Sequence, residues 1–371
     1  LAPQLAPQFA PQAAINDIPS QAPQTIEQLD LTNYGDISSW GGAVYGGSTS
    51  GGDATVISGD FAAVISNDAT FTGIKKDGSL FTWGHSNEGG GQHPTDNGYV
   101  NVYAAGTGYC AIKPDGSLTS WGGYGAFATT HPTDSGYTEV YGTNNGFTAI
   151  KADGTVSVWG VPYYQQNNPA SNVVFKKIYA SLDDTFVGMK SDGSLVEWGE
   201  ALTNPTPPDT DFVNIKADYS GFAGMKADGS VKSWGDSTYS GGAPIDTGYT
   251  STYGNGHAYA AIKANGSITV WGSSSYGGSG APTDNGYTHI YGCSGAFIAT
   301  KADGTLTAWG NSGYADALPP GQGWTDVYTS AFAVAAIKAD GSVYGKWFPW
   351  KVAYGSPAPV DTGYTKIYAH H

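Results

Sequence analysis

The sequence contains no arginine; all 16 basic residues are lysine, set against 31 acidic ones, for a formal net charge of −15. Arginine is the main bidentate reader of guanine and phosphate, and nucleic-acid binding needs a basic footprint, so no nucleic-acid partner is expected. Charged residues are only 13% of the chain, which argues against long solvent-facing helices. No run approaches the roughly 18 apolar residues of a membrane span, so no membrane insertion is expected. There are two cysteines, Cys110 and Cys293. Far apart in the chain, they read as two small half-buried residues rather than a disulfide, and they do not fix the redox compartment. The first residue is Leu1, not Met, which reads as a mature N-terminus left by signal removal.

Glycine and aromatics, by contrast, are abundant: 55 glycines, and 13% of residues are Phe, Trp or Tyr. They fall into a repeat. Phe147-Thr-Ala-Ile-Lys-Ala-Asp-Gly-Thr-Val-Ser-Val-Trp-Gly160 returns as Phe297-Ile-Ala-Thr-Lys-Ala-Asp-Gly-Thr-Leu-Thr-Ala-Trp-Gly310. The turn glycines Gly78, Gly116, Gly154, Gly193, Gly229, Gly266, Gly304 and Gly341 are spaced by 36 to 39 residues. Asp-Gly, or Asn265-Gly266 once, between two alternating apolar runs is a hairpin signal, and a type I′ turn with positive φ at both residues is expected. A third strand carries tyrosines four apart, as in Tyr287/Tyr291, Tyr249/Tyr253 and Tyr99/Tyr103, on one face.

Such small antiparallel units cannot bury both faces alone. Radial stacking makes them a β-propeller; an open β-solenoid is the weaker alternative, because its rungs need no hairpin. Tyr364-Thr-Lys-Ile-Tyr368 is a third strand without a following hairpin. Leu29-Asp-Leu31 and Ile37-Ser-Ser-Trp-Gly41 read as a hairpin without a third strand. Joined, they complete a last blade from both termini. The expectation is therefore an all-β chain: an extended arm, residues 1–28, then a propeller of eight to nine short antiparallel blades over 29–371.

The phrase Ala-Ile-Lys-Ala-Asp-Gly-Ser-x-x-x-Trp-Gly resembles the repeat of the regulator of chromosome condensation superfamily of propellers, over roughly residues 29 to 371. The short period is similar to the compact bacterial branch, which includes a propeller-type β-lactamase inhibitor. After Trp-Gly the sequence departs, with Tyr276-Gly-Gly-Ser-Gly-Ala-Pro282 in place of the family's Gly-Gln-Leu-Gly run. The resemblance implies the fold; the chromatin-bound nucleotide-exchange activity of some members is not carried over, since the basic tail and arginine-rich faces are missing.

The chemically capable side chains are periodic, and periodicity favours structural roles. The hairpin carboxylates Asp77, Asp115, Asp153, Asp192, Asp228, Asp303 and Asp340 read as turn formers. Asp96, Asp134, Asp246, Asp284 and Asp361, in Pro-x-Asp loops, read as turn caps; one per blade, they do not converge on a calcium ion. His93 and His131 share a repeat phase without a third ligand, so no metal site is expected. Trp83, Trp121, Trp159, Trp198, Trp234, Trp271 and Trp309 read as inter-blade packing. Asn265-Gly-Ser267 matches a glycosylation sequon. No catalytic motif is found, so neither an enzyme nor a cofactor is expected.

The arm carries the functional expectation. It reads Leu-Ala-Pro-Gln, Leu-Ala-Pro-Gln, Phe-Ala-Pro-Gln. As a strand, Leu1, Pro3, Leu5, Pro7, Phe9 and Pro11 share one face, and all three prolines lose their N–H on one edge. The other edge keeps its donors, which suits addition to an exposed sheet edge. With Ile15 and Ile18 these residues form the expected subunit interface. The chain is thus read as a secreted structural protein whose arm docks on a neighbouring copy, building an extracellular homopolymer. The alternative is a monomeric extracellular binding module, an adhesin, lectin or inhibitor, meeting surface glycans or proteins through a propeller face or the loops 161–168 and 344–350.

Overall fold

The computed structural model of the chain describes residues 35–39, 55–67, 70–85, 93–123, 130–161, 167–293, 295–311, 318–329, 333–347 and 362–364. The arm, including every residue of the expected interface from Leu1 to Ile18, lies outside the described residues.

Among the described residues, 25 strands form eight antiparallel sheets. The first is four-stranded, in the order β1 (Gly35–Ser39), β2 (Thr55–Ser66), β3 (Thr70–Lys75) and β4 (Leu80–Gly84). Sheets 2 to 8 are three-stranded and occupy residues 101–122, 137–160, 177–199, 212–235, 249–272, 287–310 and 324–347. Each runs first, middle, third strand in chain order. The sheets divide between two compact units, one carrying sheets 1, 2 and 8, the other sheets 3 to 7. Within the second unit, the first strands of sheets 4 to 7 pack side by side.

Ile37 lies opposite Ile57 in β2, so β1 extends the first sheet. The physical reason is that β2 has 12 residues and β3 only six. Phe61 to Ser66 pair with β3, leaving the first half of β2 an open edge that a nearby segment closes at low entropic cost. Asp60, at φ 46°, divides the two halves. Leu29 to Leu31 and residues 365–368 lie outside the described residues.

The hairpins differ from expectation. Gly78 N donates to Lys75 O at 2.9 Å and Lys75 N to Ser79 O at 2.9 Å, and only Gly78 has positive φ (74°). This is a type I turn closed by a left-handed glycine bulge, not type I′. Asp77 escapes the left-handed region because its Oδ1 accepts the Ser79 amide at 2.9 Å, a short side-chain turn that suits negative φ. The same amide-to-carboxylate bond recurs at Asp115, Asp153, Asp192, Asp228, Asp303 and Asp340, and at Asn265.

Each hairpin seats the next sheet. Gly78 O accepts the Tyr99 amide at 3.1 Å, and a Cβ on Gly78 would lie 2.6 Å from that nitrogen. Glycine is therefore needed here twice, for φ and for close approach. The joint repeats at Gly116–Tyr137, Gly154–Phe175, Gly229–Tyr249 and Gly266–Tyr287. Tyr364 N donates to Gly341 O at 3.3 Å, so the joint that starts a further first strand is also present.

The core lies between consecutive sheets, and the tryptophans build it as expected. Each stacks on the aromatic residue opposite it in its own middle strand, as Phe186–Trp198 at 5.8 Å and Tyr259–Trp271 at 5.6 Å. Trp234 also packs on the preceding sheet, clustering with Val187 and Met189 of sheet 4, as Trp198 does with Tyr141 and Ile150 of sheet 3. Trp198 Nε1 donates to Thr148 Oγ1, one sheet back, at 3.3 Å. Such offset aromatic pairs add about 0.5–1.5 kcal/mol beyond their buried area. Cys110 and Cys293 are free and fully buried rather than half-buried. Burial pushes the Cys110 thiol up to about 12 and the Cys293 thiol higher still.

Candidate functional site

At the hairpin end of the sheets, the Pro-x-Asp carboxylates Asp96, Asp134, Asp246 and Asp284 each accept a tyrosine hydroxyl. Asp96 Oδ1 accepts the Tyr99 hydroxyl at 2.8 Å, and its Oδ2 accepts Lys113 Nζ at 2.6 Å. Lys113 Nζ stands 4.9 Å above the Tyr99 ring, and the Tyr99 hydroxyl also meets Thr119 Oγ1 at 3.0 Å. The set is rebuilt as Asp246, Tyr249, Lys263 and Thr269, and as Asp284, Tyr287, Lys301 and Thr307. Lys113 holds the Asp96 carboxyl below the usual carboxylate range, and burial pushes the Tyr99 phenol up to about 12. The constant 17-residue spacing of Asp to Lys was the signal for this set in the sequence.

At the opposite end, the turns between first and middle strands reach from sheet to sheet. Asp184 Oδ1 and Oδ2 accept the backbone and side-chain nitrogens of Asn145 at 2.7 and 2.8 Å. Asp218, 2% exposed, accepts the amides of Tyr219 at 3.0 Å, Asn255 at 3.1 Å and Gly256. Burial raises the Asp218 carboxyl to about 7, against the pull of Lys216 and these amides.

Beside Asp218 an aromatic group assembles from two sheets and their outgoing loops. The His257 ring lies between Tyr276 at 4.3 Å and Tyr219 at 5.8 Å, both nearly parallel to it, with Tyr239 edge-on at 5.0 Å. Tyr239 sits on the one-turn helix Ser237–Ser240, started by Asp236 accepting the Thr238 amide at 2.8 Å. Tyr219 is 39% exposed, and burial depresses the His257 imidazole, keeping it neutral near pH 7. Tyr239 and Tyr276 share a repeat phase, each five residues after a blade tryptophan, but Tyr219 and His257 do not share one, so the repeat does not announce this group.

The histidines His93 and His131 stay with separate partners, Thr82 Oγ1 and Pro132 O, each at 3.2 Å. Residues 162–166 and 348–350 of the two variable loops lie outside the described residues.

The sheets, with their Asp-Gly hairpins and Trp-Gly strand ends, settle the architecture. The repeat unit is a three-stranded antiparallel sheet of the kind that forms a β-propeller blade. No family model matches the sequence. No curated protein matches it. Similar solved structures include the ectodomain of the Physcomitrella patens receptor kinase CR4, at 16% identity over 67% of this chain and 72% of that one, TM-score 0.45. Another is the CRINKLY WD40 ectodomain of the Arabidopsis thaliana receptor kinase ACR4, at 17% identity, 66% and 93% coverage, TM-score 0.45. A third is Prp20p from Saccharomyces cerevisiae, at 14% identity, 72% and 76% coverage, TM-score 0.40.

Proposed function

We propose that this chain is a non-catalytic, extracellular structural protein that assembles through strand addition, the N-terminal arm of one copy pairing with a sheet edge of the next. The supporting observation is the state of the third strands. Every sheet ends on a five-residue strand whose outer edge pairs with no other strand among the described residues. Open edges of this kind are templates for pairing with another chain. The arm is suited to one: its prolines fall on a single edge, leaving the even-numbered residues Ala2 to Gln12 to donate from the other, while Leu1, Leu5 and Phe9 present apolar side chains.

Deleting residues 1–24 is expected to convert polymers to monomers in light scattering and negative-stain images. Polymers unchanged by the deletion, or a full-length protein monomeric at high concentration, refute the proposal. The half-exposed Tyr219–His257–Tyr276 stack favours the second reading, a monomeric binding module. Under that reading, Tyr219→Ala abolishes binding to a surface ligand and the arm deletion does not.

A further inference from the structure

The repeats serve as templates for one another, and in sheet 4 a piece is missing. In sheets 2, 6 and 7 the hairpin lysine holds a carboxylate of its own chain: Lys113–Asp96 at 2.6 Å, Lys263–Asp246 at 2.5 Å and Lys301–Asp284 at 2.6 Å. In sheet 5 the pair Lys226–Asp209 persists at 3.1 Å although Phe212 replaces the tyrosine. In sheet 4 the lysine is Lys190, and the residue three before Phe175 is Asn172, where an aspartate stands in the others. Among the described residues Lys190 has no carboxylate within ion-pair distance.

Two further features mark the same spot. An open notch of about 240 Å³ lies there, lined by Val174, Phe175, Lys176, Lys190, Ser191 and Asp192. Lys176 adds a second cation; sheet 8 also lacks the aspartate, with Gly321 in its place, but has Thr325 where Lys176 stands. Val174, 52% exposed, gives the notch an apolar wall. Asp192 does not fill the vacancy. Its Oδ1 is committed to the Ser194 amide at 2.9 Å, as Asp115 is to Ser117 in sheet 2, where Lys113 nevertheless holds Asp96.

We propose that the notch beside Lys190 binds an external carboxylate, which takes the place that Asp96, Asp246 and Asp284 occupy in the sister repeats. The hairpin fixes the Lys190 backbone, with Gly193 N donating to Lys190 O at 3.0 Å, and Lys176 adds attraction that salt screens. The site is independent of the arm. Its ligand is a free small carboxylic acid or an acidic side chain of a partner protein.

The test uses the full chain and saturation-transfer NMR, which reads weak binding. The probes are acetate, succinate, acetyl-Gly-Glu-Gly-amide and the matching Gln tripeptide. Saturable binding of the carboxylates but not of the Gln tripeptide is expected, with a tenfold or greater loss in Lys190→Gln. Asn172→Asp, which restores the internal carboxylate without removing the lysine, is expected to block binding equally. Preference for the Glu tripeptide identifies a protein segment as the source, and equal binding of acetate identifies a small acid. No binding by any carboxylate overturns the proposal, as does binding unchanged in both variants.

Discussion

The indole hydrogen bond between sheets provides a test in which three substitutions must behave differently. Trp198 Nε1 donates to Thr148 Oγ1 at 3.3 Å, and the two residues are 1% and 0% exposed. Thr148→Val keeps the shape and removes the acceptor, leaving a buried donor unpaired. Such orphans cost about 1–3 kcal/mol, and a bond this long belongs at the lower end, near 1 kcal/mol. Val187 holds the same position one sheet later and packs with Trp234, whose Nε1 is buried without a partner among the described residues. Val187→Thr therefore supplies an acceptor where a donor waits, and stability should hold or rise by up to about 1 kcal/mol. Thr72 and Trp121 hold the same positions two sheets earlier, but neither polar atom has a partner among the described residues, so Thr72→Val should be neutral or stabilising. Guanidinium unfolding followed by tryptophan fluorescence measures all three. A Val187→Thr protein less stable by more than about 1 kcal/mol, the penalty of an unmatched buried hydroxyl, refutes the reasoning.

Further outcomes follow from geometry already described. Gly224→Ala places a Cβ 2.7 Å from the Phe212 ring and 3.0 Å from Trp234, and should cost about 1–3 kcal/mol in the same unfolding assay. Gly78→Ala meets both positive φ and the Tyr99 backbone, and should cost at least about 1–2 kcal/mol and broaden the Tyr99 amide resonance. Asp218 is raised in the folded state, so that state binds the extra proton between about pH 4 and 7 and stability falls as pH rises through this window, by at most about 1.4 kcal/mol per unit. Asp218→Asn should flatten that slope in denaturation curves collected from pH 4 to 8. Asp96 is depressed, so its contribution is present above pH 4 and lost as pH falls below it; Asp96→Asn should lower the melting temperature slightly at neutral pH, and less in high salt.

The blades were legible because their markers are local. Asp-Gly and Trp-Gly fix a hairpin wherever they recur, and the tryptophans announce an apolar gap on each side. What the sequence hid was decided by competition between neighbours. Asp77 could satisfy a left-handed turn, but its carboxylate reached the Ser79 amide and made negative φ cheaper. Ile37 lies opposite Ile57, on the half of β2 that runs beyond β3. The Asp–Tyr–Lys sets were written as a constant spacing, but only the fold brings Lys113 onto Asp96. In the group around His257, Tyr239 and Tyr276 share a repeat phase but Tyr219 and His257 do not, and only the turns of sheets 5 and 6 bring Tyr219 and His257 together.

The joint between a hairpin glycine and the next first strand has a consequence for how such a chain changes over generations. Gly78–Tyr99, Gly116–Tyr137 and Gly266–Tyr287 are each 21 residues apart and chemically the same. A duplication or loss of one whole module would therefore rejoin matching ends, with the same amide meeting the same carbonyl. Module number is then free to drift while each connection stays intact, and a lone departure such as Asn172 can accumulate in one copy without disturbing its siblings.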